Sequence, residues 1–157
     1  MRYALLPCLF VVAVLSPLAS SLGINCKGSR VCGNTPNVAQ RLTHLIDNID
    51  VNRQYQDREE IACVSNELDG KETSFCAFLR GTGGASGQKI QVLARALRDH
   101  GCYACGSVPI SWPSNQNVKQ GALVYDHVAK PCSPIDTLCT TYAAAGSQSA
   151  RICTCTL

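Results

Sequence analysis

The placement of cysteine constrains this chain more than any other feature. It carries 11, at positions 8, 26, 32, 63, 76, 102, 105, 132, 139, 153 and 155. In a reducing compartment such a set points to metal ligands or redox work, and in an oxidising one to disulfide bridges. The N-terminus decides between them. Arg2 is followed by the uncharged apolar stretch Ala4 to Leu15, and then by small residues, with Ala19 and Ser21 two apart. That is the pattern of a cleaved secretory signal. The apolar run falls well short of the roughly 20 residues that cross a bilayer as a helix, which argues against an uncleaved anchor. Cleavage is expected after Ser21, so that the mature chain begins at Leu22 and Cys8 leaves with the leader. The even set that remains, Cys26, Cys32, Cys63, Cys76, Cys102, Cys105, Cys132, Cys139, Cys153 and Cys155, reads as up to five disulfides. Ten cysteines allow on the order of 945 pairings, so connectivity is not readable from spacing.

Loss of Arg2 lowers the net charge from +3 to +2. That is too little for bulk attraction to nucleic acid or an anionic membrane. The mature length suits one domain with one core. We divide the chain into a signal peptide (1–21), a domain (22–132) and a cysteine-containing extension (133–157). The extension is rich in Thr, Ala and Ser and reads as a segment tied down by bridges.

Within the domain, Val38, Leu42, Leu45, Ile46 and Ile49 recur at helical spacing. With Thr35 as N-cap and Pro36 in the first turn, they predict a helix over 36–49. Asp50 to Glu60 reads as a solvated connector. Glu60–Val64 and Ser74–Leu79 predict a β-hairpin, with Asn66, Asp69 and Gly70 as turn residues. A glycine-rich loop, Gly81 to Gly87, opens a second helix whose buried stripe is Ile90, Leu93, Ala94 and Leu97, with Gly101 as a left-handed cap. Tyr103–Ser111 and Gly121–Val128 predict two more strands. The fold class is therefore α+β: a small disulfide-rich sandwich, with an antiparallel sheet and two amphipathic helices on one face.

Several motifs invite a chemical reading, and each has a plainer one. Cys102-Tyr103-Ala104-Cys105 has redox spacing, but it follows a helix instead of opening one, so no helix N-terminus lowers a thiol pKa. Zinc held by Cys26, Cys32, Cys102 and Cys105 is disfavoured by the long first spacing and by export. The glycine loop ends Gly87-Gln88-Lys89-Ile90 and lacks the Gly-Lys-Ser/Thr of a phosphate loop; a flexible loop entering a helix accounts for it. Glu59 and Glu60 are adjacent carboxylates on a charged loop. His44, His100 and His127 have no neighbouring nucleophile in sequence. No metal, cofactor or catalytic residue is expected, and the chain does not read as an enzyme.

Three blocks carry a family resemblance: Leu22 to Gly33, His100 to Pro109, and Gly121 to Cys132. They resemble the type-four killer toxins, a fungal family whose type member is encoded by a virus of a smut fungus. The resemblance covers roughly 22–132, agrees poorly over 50–85, and leaves the extension's cysteines without counterparts. It implies a small α/β sandwich, with Cys26 and Cys32 paired to Cys102 and Cys105. It also implies a secreted monomer that acts on a membrane protein of target cells, by interfering with calcium uptake through a calcium channel. A lysine important to the viral toxin lies two residues before a mid-chain cysteine. Matching that cysteine to Cys63 puts Ile61 at its position. Arg58, Lys71, Arg80 and Lys89 are the basic residues left to contact a target. Seven cysteines up to Cys132 is an odd number, which predicts a bridge between the domain and the extension. The alternative is a secreted effector that keeps the scaffold without channel activity.

Overall fold

A computed structural model describes residues 23–140. Cys153 and Cys155 lie outside the described residues. The described residues form seven strands and two α-helices: α1 (Val38–Ile46), β1 (Gln54–Tyr55), β2 (Glu60–Leu68), β3 (Lys71–Arg80), β4 (Ala85–Ser86), α2 (Gly87–Asp99), β5 (Gly106–Pro109), β6 (Ala122–His127) and β7 (Thr137–Leu138). The main sheet has the order β5-β6-β3-β2-β7 and is antiparallel throughout. β1 and β4 form a separate two-stranded pair. Both helices pack on one face of the main sheet, as the apolar stripes require.

The core follows from period. Ile90, Leu93, Ala94 and Leu97 on α2, and Val38, Leu42 and Ile46 on α1, are fully buried against Phe75, Ala77, Leu79, Leu123 and Tyr125 of the sheet. Each large apolar side chain so placed stabilises the fold by about 1.5–3 kcal/mol relative to exposure. Deep in this layer the hydroxyls of Thr43 and Tyr125 lie 3.1 Å apart, and the Thr43 hydroxyl is also within 3.4 Å of the Ala94 carbonyl. Burial pushes the Tyr125 phenol far above its ordinary pKa, so it stays neutral. The opposite face carries a smaller cluster of Cys63, Cys76 and Cys139, with Phe78, Val128, Cys132 and Ile135 packed against it.

Local structure departs from the sequence reading in several places. The first helix starts at Val38, not at Pro36, with Asn37 in the left-handed region (φ 64°) as its N-cap. Thr35 does not cap: its hydroxyl donates back to the carbonyls of Val31 and Cys32. The second helix matches its predicted stripe, and Gly101 ends it at φ 90°. Its N-cap is Ser86, whose hydroxyl accepts from the Lys89 N–H. The hairpin is longer than predicted. Pairing continues through the polar residues to Leu68↔Lys71, across a two-residue turn in which Asp69 and Gly70 have φ 51° and 72°. Two positive φ values in a two-residue loop match the twist of the flanking strands. The strand predicted over Tyr103–Ser111 shrinks to Gly106–Pro109, because Cys102 and Cys105 are held in bridges at its entry.

The connector over Asp50–Glu60 is not simply solvated. Tyr55 and Glu59 are buried there, at 3% and 7% exposure. The Arg53 guanidinium lies 4.4 Å from the Tyr55 ring centroid and pairs with Glu59. Among the described residues, four disulfides join Cys26–Cys102, Cys32–Cys105, Cys63–Cys76 and Cys132–Cys139. The last links the domain to the extension, whose Thr137–Leu138 adds a strand beside β2. At the other end of the sheet, Asn25 pairs with Ser107 of β5 in an isolated bridge.

Candidate functional site

The glycine loop between β3 and β4 is organised by a residue the sequence did not single out. Asp57 accepts hydrogen bonds from the Gly81 N–H (3.0 Å), the Thr82 N–H (2.8 Å) and the Thr82 hydroxyl (3.2 Å). The Thr82 hydroxyl in turn accepts from the Gly84 N–H at 3.0 Å. Those bonds, led by the one from Thr82 N–H, hold the Asp57 carboxyl below its ordinary pKa. The loop is thus neither a phosphate cradle nor a free connector, because its leading donors, the Gly81 and Thr82 N–H groups, are taken by a carboxylate of the same chain. A signal for this does exist in the sequence. A run of glycine N–H groups attracts an anion, and Asp57 is an acid in the segment leading into the hairpin.

This clip positions two of the four basic candidates. Arg58 follows Asp57 in the left-handed region (φ 63°), and its N–H donates to the Leu79 carbonyl at 2.8 Å. Arg80 follows Leu79 at the end of β3. Arg58 and Arg80 are therefore neighbours on exposed backbone at one end of the sheet, beside the clipped loop. Lys71 is at the far end of the same strand, about 30 Å away at the usual rise per residue. Lys89 is turned aside: its ammonium donates to the Trp112 carbonyl at 3.0 Å. The structure brings Arg58 and Arg80 together and separates Lys71 and Lys89 from them.

Position 61 belongs to the core. Ile61 is 1% exposed, at a register shift between Glu60 and Ala62 that turns both Ile61 and Ala62 toward the helices. A lysine there would bury an unpaired charge, so the position cannot present a cation to a partner. The adjacent carboxylates are divided between two structural duties. Glu59 pairs with Arg53 and accepts from the Gln56 N–H at 2.7 Å. Glu60 accepts from the Cys132 N–H at 2.6 Å, and burial raises its pKa. Cys102 and Cys105 do not bond to each other but to Cys26 and Cys32. Tyr103 between them is 77% exposed, and its carbonyl accepts from the Ala39 N–H at the start of α1.

What the arrangement offers is a rigid basic edge on a cross-linked scaffold. No curated protein matches the chain. The family model described as Kp4, the smut-fungus killer-toxin domain, matches residues 9–129. With the sandwich fold and its bridges already in view, a match over that much of the sequence is decisive: the chain belongs to the Kp4 family of killer toxins.

Proposed function

We propose that the protein is a secreted killer toxin that stops the growth of susceptible cells by binding a surface membrane protein, with a calcium channel as the target, and so reducing calcium uptake. Membership of the Kp4 family carries the reading. The leader-like N-terminus and the disulfides support export. Arg58 and Arg80 are the contact residues we favour, because the Asp57 clip fixes their backbone before docking and so reduces the entropy lost on binding. Lys71 and Lys89 are secondary, one distant and one engaged with Trp112.

The test is calcium uptake and growth in a panel of fungal and plant cells exposed to oxidised residues 22–157. Inhibition relieved by excess external calcium, and lost in the folded Arg58→Ala/Arg80→Ala variant, is the expected outcome. Inhibition that ignores both calcium and the two substitutions would overturn the channel reading. A second reading, an effector on the same scaffold without channel activity, is favoured by one observation: the position matched to the viral toxin's lysine is the buried Ile61. Intact folding with no effect on uptake across the panel would select it.

A further inference from the structure

Two bridges on the outer face of the sheet are in contact. The Cys63 and Cys139 sulfurs, which belong to different disulfides, lie 3.7 Å apart. A Glu60 carboxylate oxygen and the sulfurs of Cys63, Cys132 and Cys139 all fall within 4.8 Å of one another. Backbone pairing holds this spacing independently of the bridges. Cys139 N–H donates to the Ile61 carbonyl at 2.9 Å, and β7 is in register with β2 through Ala62↔Leu138 and Cys63↔Thr137. Access is unequal. Cys63 and Cys76 are 0% exposed and Cys139 is 7% exposed, whereas Cys132 is only partly buried.

We propose that Cys132 is a site of modification by small thiols, and that the sulfur cluster passes the resulting thiolate inward from Cys139 to Cys63. In the first step an external thiolate, glutathione for example, attacks Cys132 Sγ. A bond forms between the external sulfur and Cys132, the Cys132–Cys139 bond breaks, and its electron pair leaves as the Cys139 thiolate. In the second step that thiolate attacks Cys63 Sγ at its side. The Cys63–Cys139 bond forms, the Cys63–Cys76 bond breaks, and Cys76 leaves as a thiolate that takes a proton from solvent. One external thiol is consumed, and the number of S–S bonds is unchanged. The product carries a mixed disulfide at Cys132, a new Cys63–Cys139 bridge and one thiol at Cys76. In that product β7 is still covalently joined to the sheet.

Glu60 tunes the first step. Its carboxylate accepts from the Cys132 N–H, next to the sulfur under attack, so it repels an anionic nucleophile and the thiolate that forms. Glu60→Gln keeps an oxygen acceptor for that N–H and removes the charge.

The experiment uses the full oxidised chain with limiting glutathione, acid quench, alkylation of remaining thiols and mass mapping of proteolytic peptides. The expected result is a peptide pair linking Cys63 to Cys139, with glutathione on Cys132 and alkylated Cys76. It should form about fivefold faster in Glu60→Gln. The Cys132→Ser variant, which removes the partner that Cys139 has among the described residues, is expected to show the Cys63–Cys139 link and a Cys76 thiol with no glutathione added. Glutathione on Cys132 with alkylated Cys139 and an intact Cys63–Cys76 bridge would overturn the relay. So would a Cys132→Ser protein that keeps Cys63–Cys76 and a thiol at Cys139.

Discussion

Removing the two N-terminal staples tests how they act together. Cys26–Cys102 and Cys32–Cys105 close loops with sequence separations of 76 and 73, but these are nearly one loop. In the unfolded chain either bridge alone holds the 26–32 and 102–105 segments together. The second bridge then closes only a ring of about ten residues. Loop-closure entropy makes the first closure worth about 4.5 kcal/mol and the second about 2.5 kcal/mol. Replacing either pair by serine is therefore expected to lower the unfolding free energy by about 2.5 kcal/mol, and replacing both pairs by about 7 kcal/mol. The double loss exceeds the sum of the single losses by about 2 kcal/mol, a coupling that comes from the unfolded state and not from any native contact. Urea unfolding followed by the fluorescence of Trp112, the one tryptophan, measures all four proteins. Sulfate extends the range if the double variant is already unfolded in water. Losses that add to within about 0.5 kcal/mol, the scatter expected of independent sites, would refute the nested-loop argument.

Three other predictions concern the clip, the core and a close approach. Asp57→Ala removes three hydrogen bonds to a partly exposed carboxylate and is expected to cost about 2 kcal/mol at pH 7. Because the folded pKa of Asp57 is depressed, this stabilisation is full above the unfolded value of about 3.9 and is lost as pH falls through the folded value. The gap between the native protein and the variant should therefore narrow as pH falls below about 4 in urea titrations, and a constant gap would contradict the clip. Tyr125→Phe deletes one of two buried partners of the Thr43 hydroxyl and should cost about 1 kcal/mol by the same assay. Gly87→Ala sits in the first turn of α2, where alanine ordinarily favours a helix. Here its Cβ would lie 2.0 Å from the Asp50 carbonyl oxygen, so a clear loss of stability is expected, and any gain would show that the Asp50 backbone can yield.

Periodicity made the two helices, the hairpin and the sandwich class legible, because buried stripes at Ile90, Leu93 and Leu97, or at Val38, Leu42 and Ile46, leave few other ways to be covered. Boundaries were less legible for local reasons. Thr35 looks like an N-cap, but its hydroxyl is drawn to the preceding turn. The mostly polar residues 65–73 look like loop, yet they continue a hairpin whose turn chemistry at Asp69-Gly70 sets the register. The site was legible only as a list of basic residues. Which of them meet depends on pairing across distant segments, since Arg58 reaches Arg80 through the Leu79 carbonyl. The anchoring role of Asp57 depends on the same long-range approach.

The free edge of β2 bears on how such a chain stays in solution at high concentration. Beyond the short β7, the strand continues with Ser65, where an edge would normally offer a free amide and carbonyl. Asp136 takes the Ser65 N–H at 2.8 Å, and Arg41 donates to the Ser65 carbonyl at 2.6 Å, while the two charged groups pair with each other at 2.5 Å. An exposed ladder of unpaired groups is a template on which another chain can add a strand and begin to aggregate. Here an ion pair occupies that template. Arg41 and Asp136 thus act as a chemical hem on the sheet, and their loss would be felt less in the stability of a dilute monomer than in the concentration at which the protein stays in solution.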